Sequence, residues 1–158
     1  MIIYDIETEN AILGRNETKL DGIKYCDGFH DFPNMGIACV GVYDLERERS
    51  RVYLKDNLAE FAALVQNTDC IVGFNNHKFD NQLLMANGIS LPVGRSYDIL
   101  EEVWRALGIG TVFNFQTHAG LSLDAFVYAN FKIRKSGKLR NPKTGEDIFI
   151  RRPSPEVK

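Results

Sequence analysis

The sequence predicts an α/β domain built on a mixed central sheet with helices packed against it. Short β-branched runs of strand length recur at residues 2–6, 37–45, 51–54 and 70–74. Stretches at 57–66, 96–107 and 123–131 have the apolar spacing of amphipathic helices. The connections set the strand directions. A short polar link joins the second run to the third, which makes antiparallel neighbours, whereas a helix precedes the fourth and returns it parallel to the first. The first three strands are therefore expected to be antiparallel and the fourth parallel to the first.

The first strand, Met1-Ile2-Ile3-Tyr4-Asp5-Ile6-Glu7-Thr8, is apolar except for two carboxylates. Residues two apart on a strand share a face, so Asp5 and Glu7 stand together at its end. Two like charges so close repel unless a cation lies between them, and magnesium or manganese suits all-oxygen ligation. The alternative is a strand end that reaches solvent with both acids merely hydrated.

Residues 9–36 follow directly. They are punctuated by Gly14, Gly22, Gly28, Pro33 and Gly36, with Tyr25, Phe29 and Phe32 interleaved, and do not read as regular structure. So long a loop beside the carboxylates is expected to be functional or mobile. Its aromatics either stack on nucleobases or pin it to the core. The helix at 57–66 takes Asp56 or Asn57 as its N-cap and places Leu58, Phe61, Leu64 and Val65 on one stripe. The strand at 70–74 runs into the polar turn Asn75-Asn76-His77-Lys78, and a helix opens at Phe79 or Asp80. Such strand ends are where open α/β sheets keep their sites, although an acid in a first helical turn also meets the helix dipole favourably.

His77 has no metal-ligand spacing with His30 or His118 and reads as a turn residue or phosphate contact. After a linker at 91–95, the helix at 96–107 turns Tyr97, Ile99, Leu100, Val103, Trp104 and Leu107 mostly to the core. Asp98 near its start is a supporting acid or a helix-dipole partner. Ser122 caps the last helix, and His118 and Asp124 read as structural. Residues 138–140 and 147–150 flank Asn141-Pro142-Lys143-Thr144-Gly145-Glu146, which has the composition of a hairpin turn.

At 158 residues, 44% hydrophobic and 25% charged, the chain has ordinary globular composition. No apolar run approaches the ~20 residues that span a bilayer, so a cytoplasmic location and no membrane partner are expected. Three scattered cysteines, Cys26, Cys39 and Cys70, argue against a disulfide framework and against a zinc site. The net charge of −2 hides an asymmetry, because residues 132–158 hold nine basic side chains against three acids. An acidic body with a basic tail fits a metal site beside a phosphate-backbone contact, and fits a solubilising tail equally well.

Asp5-Ile6-Glu7-Thr8 on the first strand, followed by Gly73-Phe74-Asn75 and Phe79-Asp80 at a strand-to-helix turn, resembles the first two motifs of the DEDD superfamily of 3′→5′ exonucleases. Its members share a ribonuclease H-like fold, and the spacing is most similar to B-family polymerase proofreading and phage-type members. The stretches at 96–100 and 122–125 also resemble that family's linking helices. The resemblance spans residues 1–131, leaving 132–158 as a basic tail or hairpin. It implies hydrolysis of the 3′-terminal phosphodiester with two Mg2+ or Mn2+ ions. Asp5, Glu7 and Asp80 would be the catalytic metal ligands, and Asn75, His77, Lys78 and Phe79 would meet the substrate strand.

The implied substrate is single-stranded DNA or a DNA 3′ end, with RNA as the variant. The sequence departs from the pattern in its third motif. No Tyr or His precedes an Asp by four or five positions in the C-terminal part: Tyr128 is followed at that spacing by Lys132, and His118 stands six before Asp124. If the family's C-terminal helix is absent, one sheet face near Asp5 is exposed, which predicts a homodimer, a swapped tail or marginal stability; a homodimer or a polymerase or replication partner is the expected protein partner. A catalytically inactive nucleic-acid-binding module of the same fold is the alternative reading.

Overall fold

The strand Ile2–Thr8 (β1) lies at the middle of the five-stranded sheet, between two strands that both follow it in the chain. The computed structural model describes residues 1–14 and 17–132, with the backbone of 138–140 and 147–149. The chain divides into two compact units, Met1–Phe113 and Asn114–Lys158.

In the first unit β1 is followed by β2 (Ala11–Ile12), β3 (Tyr25–Cys26) and the one-turn helix α1 (Phe32–Met35). Next come β4 (Ile37–Asp44), β5 (Arg49–Leu54) and helix α2 (Leu58–Gln66). Strand β6 (Ile71–Gly73), helix α3 (Asp80–Ala86), strand β7 (Ser96–Asp98) and helix α4 (Ile99–Ala106) complete it. The sheet order is β5-β4-β1-β6-β7. Strand β4 lies between β5 and β1 and is antiparallel to both, and β6 and β7 run parallel to β1. This is the mixed sheet that the connection lengths predict, and it is compatible with a ribonuclease H-like fold.

One face of the sheet is the core. Ile2, Tyr4 and Ile6 of β1 are buried there with Val40 and Val42 of β4 and Tyr53 of β5. Helices α2 and α3 close over this face through Phe61, Val65, Leu83 and Leu84, while Leu58 and Leu64 pack at its margin as their helical spacing predicts. Tyr4 and Tyr53 both lie against the Phe61 ring, at 6.1 and 5.6 Å between centroids. Asn57 occupies the N-cap position of α2 without capping it, since its Oδ1 accepts from Leu54 N instead.

Two expectations are corrected. Residues 96–98 form a fifth strand rather than the start of a helix, and the helix is confined to Ile99–Ala106. Asp98 is the reason: its backbone is extended and its carboxylate accepts from Leu100 N, so it ends a strand and caps a helix at once. Consequently Tyr97 and Leu107 face solvent, while Leu100 and Trp104 are buried. Residues 9–36 hold more order than their punctuation suggests. Ala11–Ile12 and Tyr25–Cys26 pair in parallel, and Asn10 N donates to Met35 O at 2.8 Å. Strands of two residues are too short for periodicity to register.

The second unit contains α5 (Phe115–His118), α6 (Leu123–Phe131) and the strands β8 (Lys138–Arg140) and β9 (Asp147–Phe149). Ser122 caps α6 by accepting from Ala125 N, and β8 pairs antiparallel with β9. The turn at 141–146 and most of the basic tail lie outside the described residues. The cysteines are free.

Candidate active site

Alternation along β1 turns Ile3, Asp5 and Glu7 away from the core, and all three are exposed. The pairing register places them in rows. Tyr97, Val72, Ile3 and Tyr43 form one row; Asp5, Gly41 and Val52 the next; Glu7, Cys39 and Leu54 the third. Asp5 thus stands opposite a glycine, which leaves open space beside its carboxylate. The register breaks immediately after Glu7, where Thr8 pairs with Ile37 and Ala38 is left over. A bulge at this position bends the strand just where the two acids project.

Asp80 reaches the same strand through its edge. Ile2 N donates to Cys70 O, so alternate N–H groups of β1 face β6. The β6 pairing covers only Ile2 and Ile3, and β1 continues beyond it. The N–H of Ile6 would be orphaned there, and Asp80 Oδ1 accepts it at 3.2 Å. Tyr4 donates to Asn81 Oδ1, so two successive residues of α3 hold its first turn against β1. Burial raises the Asp80 carboxyl to about 7, and the negative charge of Asp5 adds to the shift. Burial, then the charges of Glu7 and Asp5, likewise raise the Cys39 thiol between them. Among the described residues no ion pair engages Asp5, Glu7 or Asp80. The three acids therefore make a negative field that no ion pair among the described residues offsets.

The turn that delivers Asp80 is built for close approach. A Cβ on Gly73 would stand 2.6 Å from the Asn76 Cβ, so only glycine fits. Asn75 adopts φ 61°, in the left-handed region that asparagine tolerates better than most residues. Asp98, only 2% exposed, accepts from Asn75 N at 2.8 Å, His77 N at 3.1 Å and Leu100 N at 2.9 Å. One carboxylate thus fastens the turn to the start of α4. The sequence showed Asp98 only as an acid near a helix start; its hold on a turn more than twenty positions earlier is tertiary.

The four residues expected at the substrate strand have mixed fates. Asn75 is a conformational hinge of the turn. Lys78 places Nζ 4.4 Å from the Trp104 ring centroid and donates to Thr111 O, so its charge is held inside the unit. Phe79 is partly buried against the core, and Phe29 and Phe32 meet it edge-on at 6.5 and 5.8 Å. The loop aromatics therefore pin the loop, while Phe29 remains 63% exposed. His77 brings together residues that no sequence spacing joined. His77, Asp98 and Glu101 each present a ligand atom within 4.8 Å of the others, close enough to hold a metal.

No protein-family model matches the chain, and no curated protein matches it. Among solved structures, a similar one is the family B DNA polymerase from the hyperthermophilic archaeon Pyrobaculum calidifontis, at 17% identity and a TM-score of 0.41. The match covers 84% of this chain and 21% of the polymerase, so the chain spans about a fifth of that protein's length.

Proposed function

We propose that this chain is a metal-dependent 3′→5′ exonuclease domain acting on DNA 3′ ends, with Asp5, Glu7 and Asp80 holding two Mg2+ or Mn2+ ions. The observation that carries this reading is Asp80 held at Ile6 N, on the strand residue between Asp5 and Glu7, near enough for the Asp5 charge to help raise its carboxyl. Asp5 and Glu7 project from an open sheet face, and Asp80 is buried at the same strand with its carboxyl raised to about 7. All-oxygen donors with an uncompensated charge fit hard divalent cations. Such ions, when bound, lower the pKa of water and neutralise charge on the attacking and leaving oxygens.

The chain's own residues do the positioning. The Ile6 N–H orients Asp80, Gly41 leaves room beside Asp5, and the Asn75 turn sets how closely a strand approaches. Phe29, exposed beside Phe79, offers a ring on which a terminal base stacks. His77, about one-third exposed, borders the same turn, with Nε2 on Ser96 O and Nδ1 facing Glu101. The missing Tyr- or His-led acid favours a second reading, a binding module of the same fold that uses its basic tail. Loss of a general base alone lowers a rate by about 100- to 10,000-fold.

Digestion of a 5′-labelled single strand with Mg2+, then Mn2+, separates the two. Stepwise shortening from the 3′ end that vanishes in Asp5→Ala supports the exonuclease. Salt-sensitive binding without cleavage supports the module, and absence of both cleavage and binding overturns both readings.

A further inference from the structure

His77, Asp98 and Glu101 form a second cluster, on the other side of the turn from the Asp80 contact with β1, and their hydrogen bonding is unbalanced. His77 Nε2 is 3.2 Å from Ser96 O, and a carbonyl oxygen only accepts, so Nε2 carries the hydrogen. In the neutral ring Nδ1 is then a lone pair, and it points at Glu101 Oε2 from 3.2 Å. Two lone pairs at that separation need a proton or a cation between them. Asp98 adds a second carboxylate, 2% exposed, whose bonds all come from backbone N–H groups. Its Oδ1 accepts two of them and its Oδ2 only one, which leaves a lone pair on Oδ2. Arg105 already pairs with Glu101 Oε2, so among the described residues Asp98 is the carboxylate of this cluster without an ion pair, and a cation held by all three ligands would supply one.

We propose that His77 Nδ1, Asp98 and Glu101 form a binding site for a single transition-metal ion of the zinc class, which fastens the 75–77 turn to α4. The surroundings are those of metal ligands. A ligating histidine almost always donates its other N–H to a carbonyl or carboxylate, as Nε2 does to Ser96 O, and ligating carboxylates are themselves hydrogen-bonded. Arg105 Nη2, 3.2 Å from Glu101 Oε2, orients the second carboxylate. Ligands at ~2.0–2.2 Å from a tetrahedral ion stand ~3.3–3.6 Å from one another, close to the Nδ1–Oε2 separation. One nitrogen with two oxygens suits Zn2+, Co2+ or Mn2+, whereas Mg2+ prefers all-oxygen sites. His77 is one-third exposed on its side chain, so an ion reaches the site from solvent. The ligands come from positions 77, 98 and 101, a spacing that matches no sequence motif for zinc.

The test is a calorimetric titration of the metal-free full chain with Zn2+, repeated with Co2+ and visible absorption to detect nitrogen ligation. It is run on the wild type and in an Asp5→Ala background, which removes a ligand of the proposed catalytic ions. One ion should bind per chain in the Asp5→Ala background, and the wild type should keep that site beside any ions held by Asp5, Glu7 and Asp80. His77→Ala and Glu101→Gln should each weaken it about tenfold or more. Glu101→Gln keeps the side-chain shape and serves if His77→Ala does not fold. Absence of saturable Zn2+ binding overturns the proposal, as does binding that neither variant weakens. Binding lost only in Asp5→Ala assigns the ion to the other acids and overturns it too.

Discussion

Asp80 is acidic in type but not in behaviour, because the fold withdraws it from water and sets it beside Asp5. Its carboxyl titrates near 7 instead of the ordinary 3.8. A raised carboxyl binds its proton more tightly in the folded chain, so its contribution to stability is full below about pH 4 and is lost as pH rises towards 7. In the absence of divalent ions, Asp80→Asn should remove that slope and stabilise the chain at pH 8 by about 1–3 kcal/mol, measured by urea unfolding at pH 5 and 8. An unchanged pH profile would show that Asp80 is not the group responsible. Asp98 is the opposite case, a buried carboxylate that accepts three backbone N–H groups. Asp98→Ala orphans them and should cost about 2–4 kcal/mol in the same assay. Gly73→Ala should cost about 1–3 kcal/mol, since its Cβ would drive Asn76 out of place.

At the scale of elements, the unequal lengths of β1 and β6 create the site. Seven residues of β1 face three of β6, and α3 begins where the shorter strand ends. The overhang needs an acceptor for Ile6 N–H, and Asp80 supplies it. The loop between β1 and β4 is fastened from its far end, where Phe32 of α1 meets Phe79 and Met35 is wholly buried. Phe32→Ala should release α1 and the β2–β3 pair while sparing the five-stranded sheet. Limited trypsin digestion reads this as several-fold faster cleavage at Lys19 and Lys24, with the circular dichroism unchanged.

For the whole molecule, the balance lies in charge. An acidic sheet face that no ion pair among the described residues offsets and a basic C-terminal segment belong to one chain of net charge −2. Divalent ions that bind the acids stabilise the folded state by mass action. Mg2+ at ten times its Kd should add about 1.4 kcal/mol, seen as a higher Tm, and Asp5→Ala should abolish that gain. A Tm shift that persists in the variant would place the ion elsewhere. If the tail meets the phosphate backbone, replacing Arg134, Lys135 and Lys138 with glutamine should make the salt dependence of single-strand binding shallower by about 2 in log–log slope. An equal slope would assign the tail to solubility alone.

Much of this was legible in the sequence because it depends on near neighbours. Period-two alternation placed Asp5 and Glu7 on one face of β1, connection lengths set the strand directions, and turn chemistry opened α3 at Asp80. Strand β7 was not legible: three residues, one of them Asp98, merge into the helical pattern that follows. Neither was the pinning of Phe29 and Phe32, because a loop aromatic looks the same in sequence whether it meets a base or Phe79. The meeting of His77 with Asp98 and Glu101 and the proton affinity of Asp80 lay wholly in the tertiary structure. Both arise from burial and from charges brought close by strand order, and a linear pattern records neither distance nor solvent access.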